Sequence, residues 1–321
     1  MRMRHWPAMT PRQIGLLSAL AAIWGGSYLL IKYALEDFSA PMIVWARTAI
    51  AALVLLVALR ASAGGAFADV RRRPGSAVLL AMLAVTAPFL LITFGELEVP
   101  SGLTAVLISP AALFVAMFAP FIDQSERIDR RQAVGMVAGL AGVALVVGVE
   151  SIHSTGEFLG AMAMIGAAAS YALAGFVVKG RYRRLTSMQT SFVSISVAAL
   201  ITLPIAAATA PTEAPGLRAV ASLLVLGAVG TALAFVIFYK LIAELGAGRA
   251  SLVAYLAPGV ALFYGAIFLD EAITVAAIAG LVLILGGVAL ASRKTRRPPE
   301  RLPVASPVHG PEPVAGRAGV S

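Results

Sequence analysis

Residues 24–32 read WGGSYLLIK, and 147 positions later residues 171–179 read YALAGFVVK. Both stretches set an aromatic ring eight residues before a lysine, Trp24 to Lys32 and Tyr171 to Lys179. Working outward, Glu96 and Pro110 return as Glu244 and Pro258, each displaced by 148 residues. Glu126 stands nine residues before Gly135, and Glu271 nine before Gly280. Gly142-Val143-Ala144-Leu145 comes back as Gly287-Val288-Ala289-Leu290. Two copies of one sparse pattern in an apolar chain are the sequence mark of a membrane carrier whose substrate site lies between the repeats.

Composition supports that class. Of 321 residues, 60% are hydrophobic and 13% charged, against about 25% charged in soluble proteins. Cysteine and asparagine are absent, which removes disulfides and thiolate chemistry. His5, His153 and His309 lie in tails or a polar loop, so neither a metal site nor a cofactor is expected.

Apolar runs near the spanning length of about 20 residues occur at 14–33, 41–60, 76–95, 100–121, 132–149, 157–178, 188–207, 218–240, 250–269 and 272–292. The first follows Arg2, Arg4 and Arg12, as a signal peptide would. Trp24 and Tyr28, however, occupy positions where cleavage needs small residues, so the run reads as a retained helix. The predicted fold is an all-α polytopic membrane protein, with ten transmembrane helices as two inverted five-helix repeats. Five spans per repeat is an odd number, so the second copy enters the bilayer from the opposite side.

Charge placement orients the chain. With both termini in the cytoplasm, 22 of the 25 Lys and Arg residues fall on the inner side. Lys32 and Arg218 lie outside, and Arg47 lies within the second span. Such a bias obeys the positive-inside rule. The net charge of +9 is therefore topology. It implies anionic membrane lipid as a partner and no nucleic acid. The expected organisation is a cytoplasmic tail at 1–13, repeats at 14–149 and 155–292, and a disordered Pro-rich tail at 293–321. The inner membrane is the expected location. Arg71-Arg72-Arg73, in the longest inner loop, reads as a headgroup anchor.

Between residues 14 and 292 the chain resembles the EamA-type, ten-helix branch of the drug/metabolite transporter superfamily. The resemblance rests on Trp24-Gly25, on Arg47 early in the second span, and on the mid-span prolines Pro110 and Pro258. Glu126 and Glu271, each before a Gly-rich final helix, complete it. It implies a carrier, commonly an exporter of amino acids, metabolites or drugs, with a cavity open to one side at a time. Many members carry Asn shortly after Trp-Gly, where this chain has Gly26-Ser27-Tyr28. A substrate contact through that Asn does not carry over.

Specificity must come from polar and aromatic groups inside spans. Trp24, Ser27, Tyr28 and Ile31 form one stripe at helical spacing, and Tyr171, Ala174, Gly175 and Val178 form its counterpart. One stripe is bulky and polar and the other small, so a cavity between them is asymmetric. Interhelical packing is the alternative reading. Arg47 is the costliest residue, at about 2.5–3.5 kcal/mol in hydrocarbon near the bilayer centre. It is expected to pair with Glu96 or Glu98, to face water, or to attract an anionic substrate group. Pro110 and Pro258 free the carbonyls of Val106 and Ala254, which a substrate ammonium would use if they face a cavity. Ser109, Tyr255, Thr86 and Thr231 are further cavity candidates by depth.

The glycines 135, 139, 142, 280, 286 and 287 read as close-contact helix surfaces. Glu126 and Glu271 read as carboxylates favoured by the N-terminal dipoles of the helices they precede. No acid lies in the middle third of any span. Gating or proton coupling would therefore fall to Arg47, Glu96 or Glu244. The absence of a nucleotide motif excludes ATP-driven pumping. The leading expectation is a secondary transporter, monomer or homodimer, exporting a small-molecule substrate (amino acid, derivative or drug) by alternating access. An importer or exchanger is the alternative. A lipid-acting enzyme or a pore is a minor one, since no nucleophile–base pair is present.

Overall fold

The computed structural model describes residues 9–59, 63–122, 128–150, 154–182, 184–245, 250 and 252–291. Glu126 and the expected C-terminal tail, 293–321, fall outside them, as does most of the N-terminal tail. All regular structure among the described residues is helical.

The spans begin where local chemistry starts a helix. Thr10 closes a reciprocal capping box with Gln13, and Pro11 fills the first turn, where its missing N–H costs nothing. Span 1 then runs Pro11–Ala34 and span 2 Ala40–Leu59. Span 3 covers Pro74–Gly95 and span 4 Ser101–Ile122. Span 5 is Arg130–Glu150, span 6 Thr155–Arg181 and span 7 Ser187–Ala208. Span 8 covers Leu217–Leu245, span 9 Val253–Phe268 and span 10 Val275–Ala291. The last two have 16 and 17 residues. At 1.5 Å per residue that is roughly 25 Å, so the bilayer must thin or flanking side chains snorkel.

One element differs from expectation. Part of the Arg-rich loop is a short helix, Ala63–Arg72, with Arg71 and Arg72 in its last turn, where the dipole favours cations. Its Phe67 ring meets Phe192 of span 7 edge-on at 5.4 Å.

The contacts follow a pseudo-two-fold. Span 1 lies against spans 8 and 9, as span 6 lies against spans 3 and 4. Span 2 contacts span 8 as span 7 contacts span 3, while the pairs 2–7 and 5–10 straddle the axis. Spans 5 and 10 meet backbone to backbone. A Cβ added to Gly135 would lie 2.7 Å from the Gly287 carbonyl, and one on Gly142 would lie 2.8 Å from that of Gly280. Gly286, expected on this surface, faces open space. Leu200 is 70% and Val282 64% exposed, which only a hydrocarbon solvent makes favourable.

Three spans are irregular inside. Span 3 holds a π-helical turn at Met82–Thr86, and span 8 a longer one at Leu226–Leu233. Thr86 and Thr231 are 145 residues apart, the offset of the Gly-Val-Ala-Leu repeat, so the two turns are equivalent under the pseudo-symmetry. Span 4 parts at Ser109-Pro110 into Ser101–Ile108 and Ala111–Ile122.

Candidate functional site

Arg47 is the centre of the seam. Its side chain is 5% exposed, and its Nε and Nη2 donate to Thr231 Oγ1 at 3.4 and 3.2 Å. Its guanidinium carbon sits 4.0 Å from the centre of the Phe89 ring, a cation–π contact. Thr231 in turn donates to the Leu226 carbonyl, five residues back, at 2.9 Å. The π turn of span 8 thus leaves a hydroxyl facing span 2. The expected ion pair is not formed: among the described residues no carboxylate lies within 4.0 Å of Arg47, and its Nε and Nη2 bond a neutral hydroxyl instead.

Tyr28 of span 1 and Tyr171 of span 6 lie within the electrostatic reach of Arg47. Together with Tyr255 they flank one core cluster of Ile43, Ile92, Val106 and Leu107. These seam groups therefore come from spans 1, 2, 3, 6, 8 and 9. Thr86, in the matching π turn of span 3, is 3% exposed and its hydroxyl has no partner among the described residues. Beside it, Ser170 of span 6 donates to the Leu83 carbonyl at 2.8 Å. Ser27 bonds back to the Ile23 carbonyl at 2.9 Å.

Other candidates sit elsewhere. Trp24 stands between the rings of Phe235 and Phe238, at 6.5 and 5.2 Å, in a separate cluster with Leu20 and Leu241. The Val106 carbonyl freed by Pro110 is occupied. It accepts from the Ser109 amide at 3.2 Å and from the Ser109 hydroxyl at 2.7 Å. Ser109 therefore closes the gap that Pro110 opens, and that oxygen does not await a ligand. Span 9 continues through Pro258, and Gly25 lets span 1 approach it there: an added Cβ would meet the Ala257 carbonyl at 2.9 Å. Glu244 bridges to Arg12 at 3.2 Å on the face that carries the N-terminus.

Glu96 differs from all of these. It caps span 3 on the opposite face, is 0% exposed, and neither carboxylate oxygen has a hydrogen-bond partner among the described residues. Lys32 donates to the Glu96 backbone carbonyl instead. Glu271, expected to serve its own helix, caps another. It accepts from Ser101 N at 2.6 Å, Gly102 N at 2.9 Å and Ser101 Oγ at 3.1 Å, at the start of span 4. Span 10 has its own cap, since Thr274 Oγ1 accepts from Ala277 N at 3.0 Å.

Of two cavities among the described residues, neither is lined by Arg47 or Glu96. One, of about 270 Å³, lies between spans 1, 8 and 9, lined by Ile23, Leu30, Val229 and Tyr264 among others. It is apolar and open at the side. The other, of about 30 Å³, lies beside Glu271 and Pro100. Arg47, Thr231, Thr86 and Glu96 are each at most 5% exposed, so neighbouring side chains close over the seam in this conformation.

Sequence reasoning named Arg47, Thr231 and Thr86 by depth, and Glu96 as a partner for Arg47 or a coupling acid near a span end. It missed Phe89, Ser170 and both π turns. Pro88, which lacks an amide hydrogen two residues after Thr86, was the one available signal for the first.

Comparison with known proteins agrees with this architecture. The uncharacterized transporter YoaV of Bacillus subtilis is 24% identical over 283 residues, 87% of this chain and 96% of that protein. A probable terminal-alkyne amino-acid exporter of Streptantibioticus cattleyicolor is 25% identical, over 85% of this chain and 90% of its own. The uncharacterized inner membrane transporter YedA of Escherichia coli K12 is 26% identical, over 78% and 81%. A solved crystal structure, 17% identical, has the same fold with a TM-score of 0.60, covering 88% of this chain and 97% of that one. The pattern of the EamA-like transporter family matches twice, at residues 12–148 and 158–293. The chain belongs to the EamA-like transporter family, as a multi-pass membrane transporter and not an enzyme.

Proposed function

We propose that this transporter exports an amino acid or a close derivative across the inner membrane by alternating access. Its repeats span about 14–149 and 155–292, and both termini face the cytoplasm. The observation that carries the reading is a pair of buried ionisable groups, a guanidinium at Arg47 and a carboxyl at Glu96, neither with an ionic partner among the described residues. Buried unpaired charge is costly and is retained where a ligand completes it. Arg47 would take the substrate carboxylate and Glu96 its ammonium, with Tyr28, Tyr171 and Tyr255 against the apolar part. The relative named as a probable amino-acid exporter supports the same class.

The irregular turns in spans 3, 4 and 8 give each repeat a place to bend. Rocking one repeat against the other would open the closed seam to one side at a time. The test is counterflow in proteoliposomes loaded with a pool of unlabelled amino acids and given labelled ones outside. Saturable accumulation lost in Arg47→Met and Tyr255→Ala supports the reading. Non-saturating flux would make the protein a pore, and no flux above empty vesicles would remove amino acids as the substrate class.

A further inference from the structure

The carrier reading assigns Glu96 an ammonium partner but leaves open what keeps its side chain neutral when no substrate is present. Both oxygens are buried without a donor among the described residues. The cations nearest in effect are already engaged, Lys32 at the Glu96 backbone carbonyl and Arg47 at Thr231 and Phe89. Glu271, whose field also reaches the site, is an anion and opposes ionisation. The other titratable groups at this end of the packed elements are Glu98 beside it, Tyr28 and Tyr33 of span 1, and Tyr171 and Glu157 of span 6, none of them a cation. Arg12 of span 1 and Lys179 and Arg181 of span 6 stand at the opposite ends of their helices. An ionised carboxylate held this way would bear the full desolvation penalty.

Glu244, its counterpart by offset, sits under no such constraint, because it is partly exposed and paired with Arg12. The two repeats have thus diverged at this position: one acid became a surface ion pair and the other an enclosed, unpaired group.

We propose that Glu96 is a proton-exchange site, protonated in the empty transporter and giving its proton to water when a cationic substrate group replaces it, so that substrate and proton move in opposite directions. The exchange balances, since one carboxyl O–H breaks as one ammonium–carboxylate pair forms, and the reverse proton uptake resets the carrier. This inference rests on the export reading for its purpose, and its first test is independent of any substrate.

Purified full-length protein in nanodiscs, across a range of pH, is treated with dicyclohexylcarbodiimide. This apolar reagent adds to protonated carboxyls and leaves a stable N-acylurea that peptide mass spectrometry locates. The expected result is labelling of Glu96 roughly tenfold above Glu244 at neutral pH, falling as pH rises; a tenfold ratio corresponds to about 1.4 kcal/mol in protonation. An unlabelled Glu96 at every pH, or labelling that never changes with pH, overturns the proposal. Infrared titration provides a check that needs no folded variant: the wild type should show a protonated-carboxyl band that disappears on alkalinisation. Absence of that band, or its persistence in Glu96→Gln, also overturns it.

With the labelled amino-acid pool, an imposed pH gradient should drive uptake in the wild type and not in Glu96→Gln. Uptake indifferent to the gradient would refute the coupling. If the pool gives no counterflow while Glu96 still titrates, the substrate assignment fails and the proton site stands.

Discussion

Removing the Glu271 carboxylate should unfasten the start of span 4, a helix whose own N-cap residue, Pro100, offers no capping side chain. Glu271→Ala strands two backbone donors, Ser101 N and Gly102 N, and one hydroxyl. Hydrogen bonds to a charged group contribute about 1.5–3 kcal/mol each. The turn is partly open to water, so the lower end applies to each amide, giving about 3 kcal/mol in total. At about 2.1 cal/mol/K per residue, a 321-residue chain shifts by roughly 1.5 °C per kcal/mol, so the melting temperature should fall by about 4–5 °C.

Glu271→Gln keeps one acceptor oxygen but turns an amide NH2 towards donors, so about half the loss is expected. The assay is thermal unfolding in detergent, followed by tryptophan fluorescence, on both variants, on Ser101→Ala and on the double mutant. The hydroxyl contact predicts a Glu271–Ser101 coupling of about 0.5–1 kcal/mol. A melting temperature for Glu271→Ala within a degree or so of the wild type, or strict additivity with Ser101→Ala, would refute the cap between spans. Gly265→Ala gives an independent check, since a methyl there would overlap the Glu271 carboxylate.

At the contact of spans 5 and 10, Gly142→Leu places a side chain where even a Cβ would lie 2.8 Å from the Gly280 carbonyl and from Leu283 Cβ. It should destabilise by about 1–3 kcal/mol or more, read by thermal unfolding, while Gly286→Ala should be neutral. Thr231→Val leaves the buried Arg47 donors without an acceptor. It should lower stability by about 1–3 kcal/mol, more than Arg47→Met, which removes the charge itself; the order of the two melting temperatures checks this. Trp24→Ala removes a ring held between Phe235 and Phe238 and should cost about 3–5 kcal/mol. Its melting temperature, read beside its counterflow, separates lost packing from lost transport. For orientation, fluorescent-protein fusions at either terminus should glow and alkaline phosphatase fusions should be silent.

Much of the architecture was legible in the sequence because a bilayer allows few solutions. Runs near the spanning length must be helices, since backbone groups in hydrocarbon have no other partners, and nine of the ten spans end within three residues of expectation at both ends. Thr86 and Thr231 were named by depth alone, and the two π turns are what reveal them as equivalent positions. Partner choice was not legible. Arg47 was expected to pair with Glu96 or Glu98, to face water or to attract an anionic substrate group, yet it bonds a threonine on span 8, 184 residues away. Glu271 was assigned to the helix that follows it, yet it serves one that begins 170 residues earlier.

Composition, periodicity and an internal repeat therefore determined the ten helices, the odd count per copy and the few polar groups buried among them. Only the tertiary structure decided which of those groups are satisfied. Hydrogen-bond and ion-pair partners are set by how helices rotate and cross, and no local property of the chain records that. On this ground Glu96 and Glu244, alike by offset, part company: one is exposed beside an arginine, the other enclosed with nothing to neutralise it but a proton or a substrate.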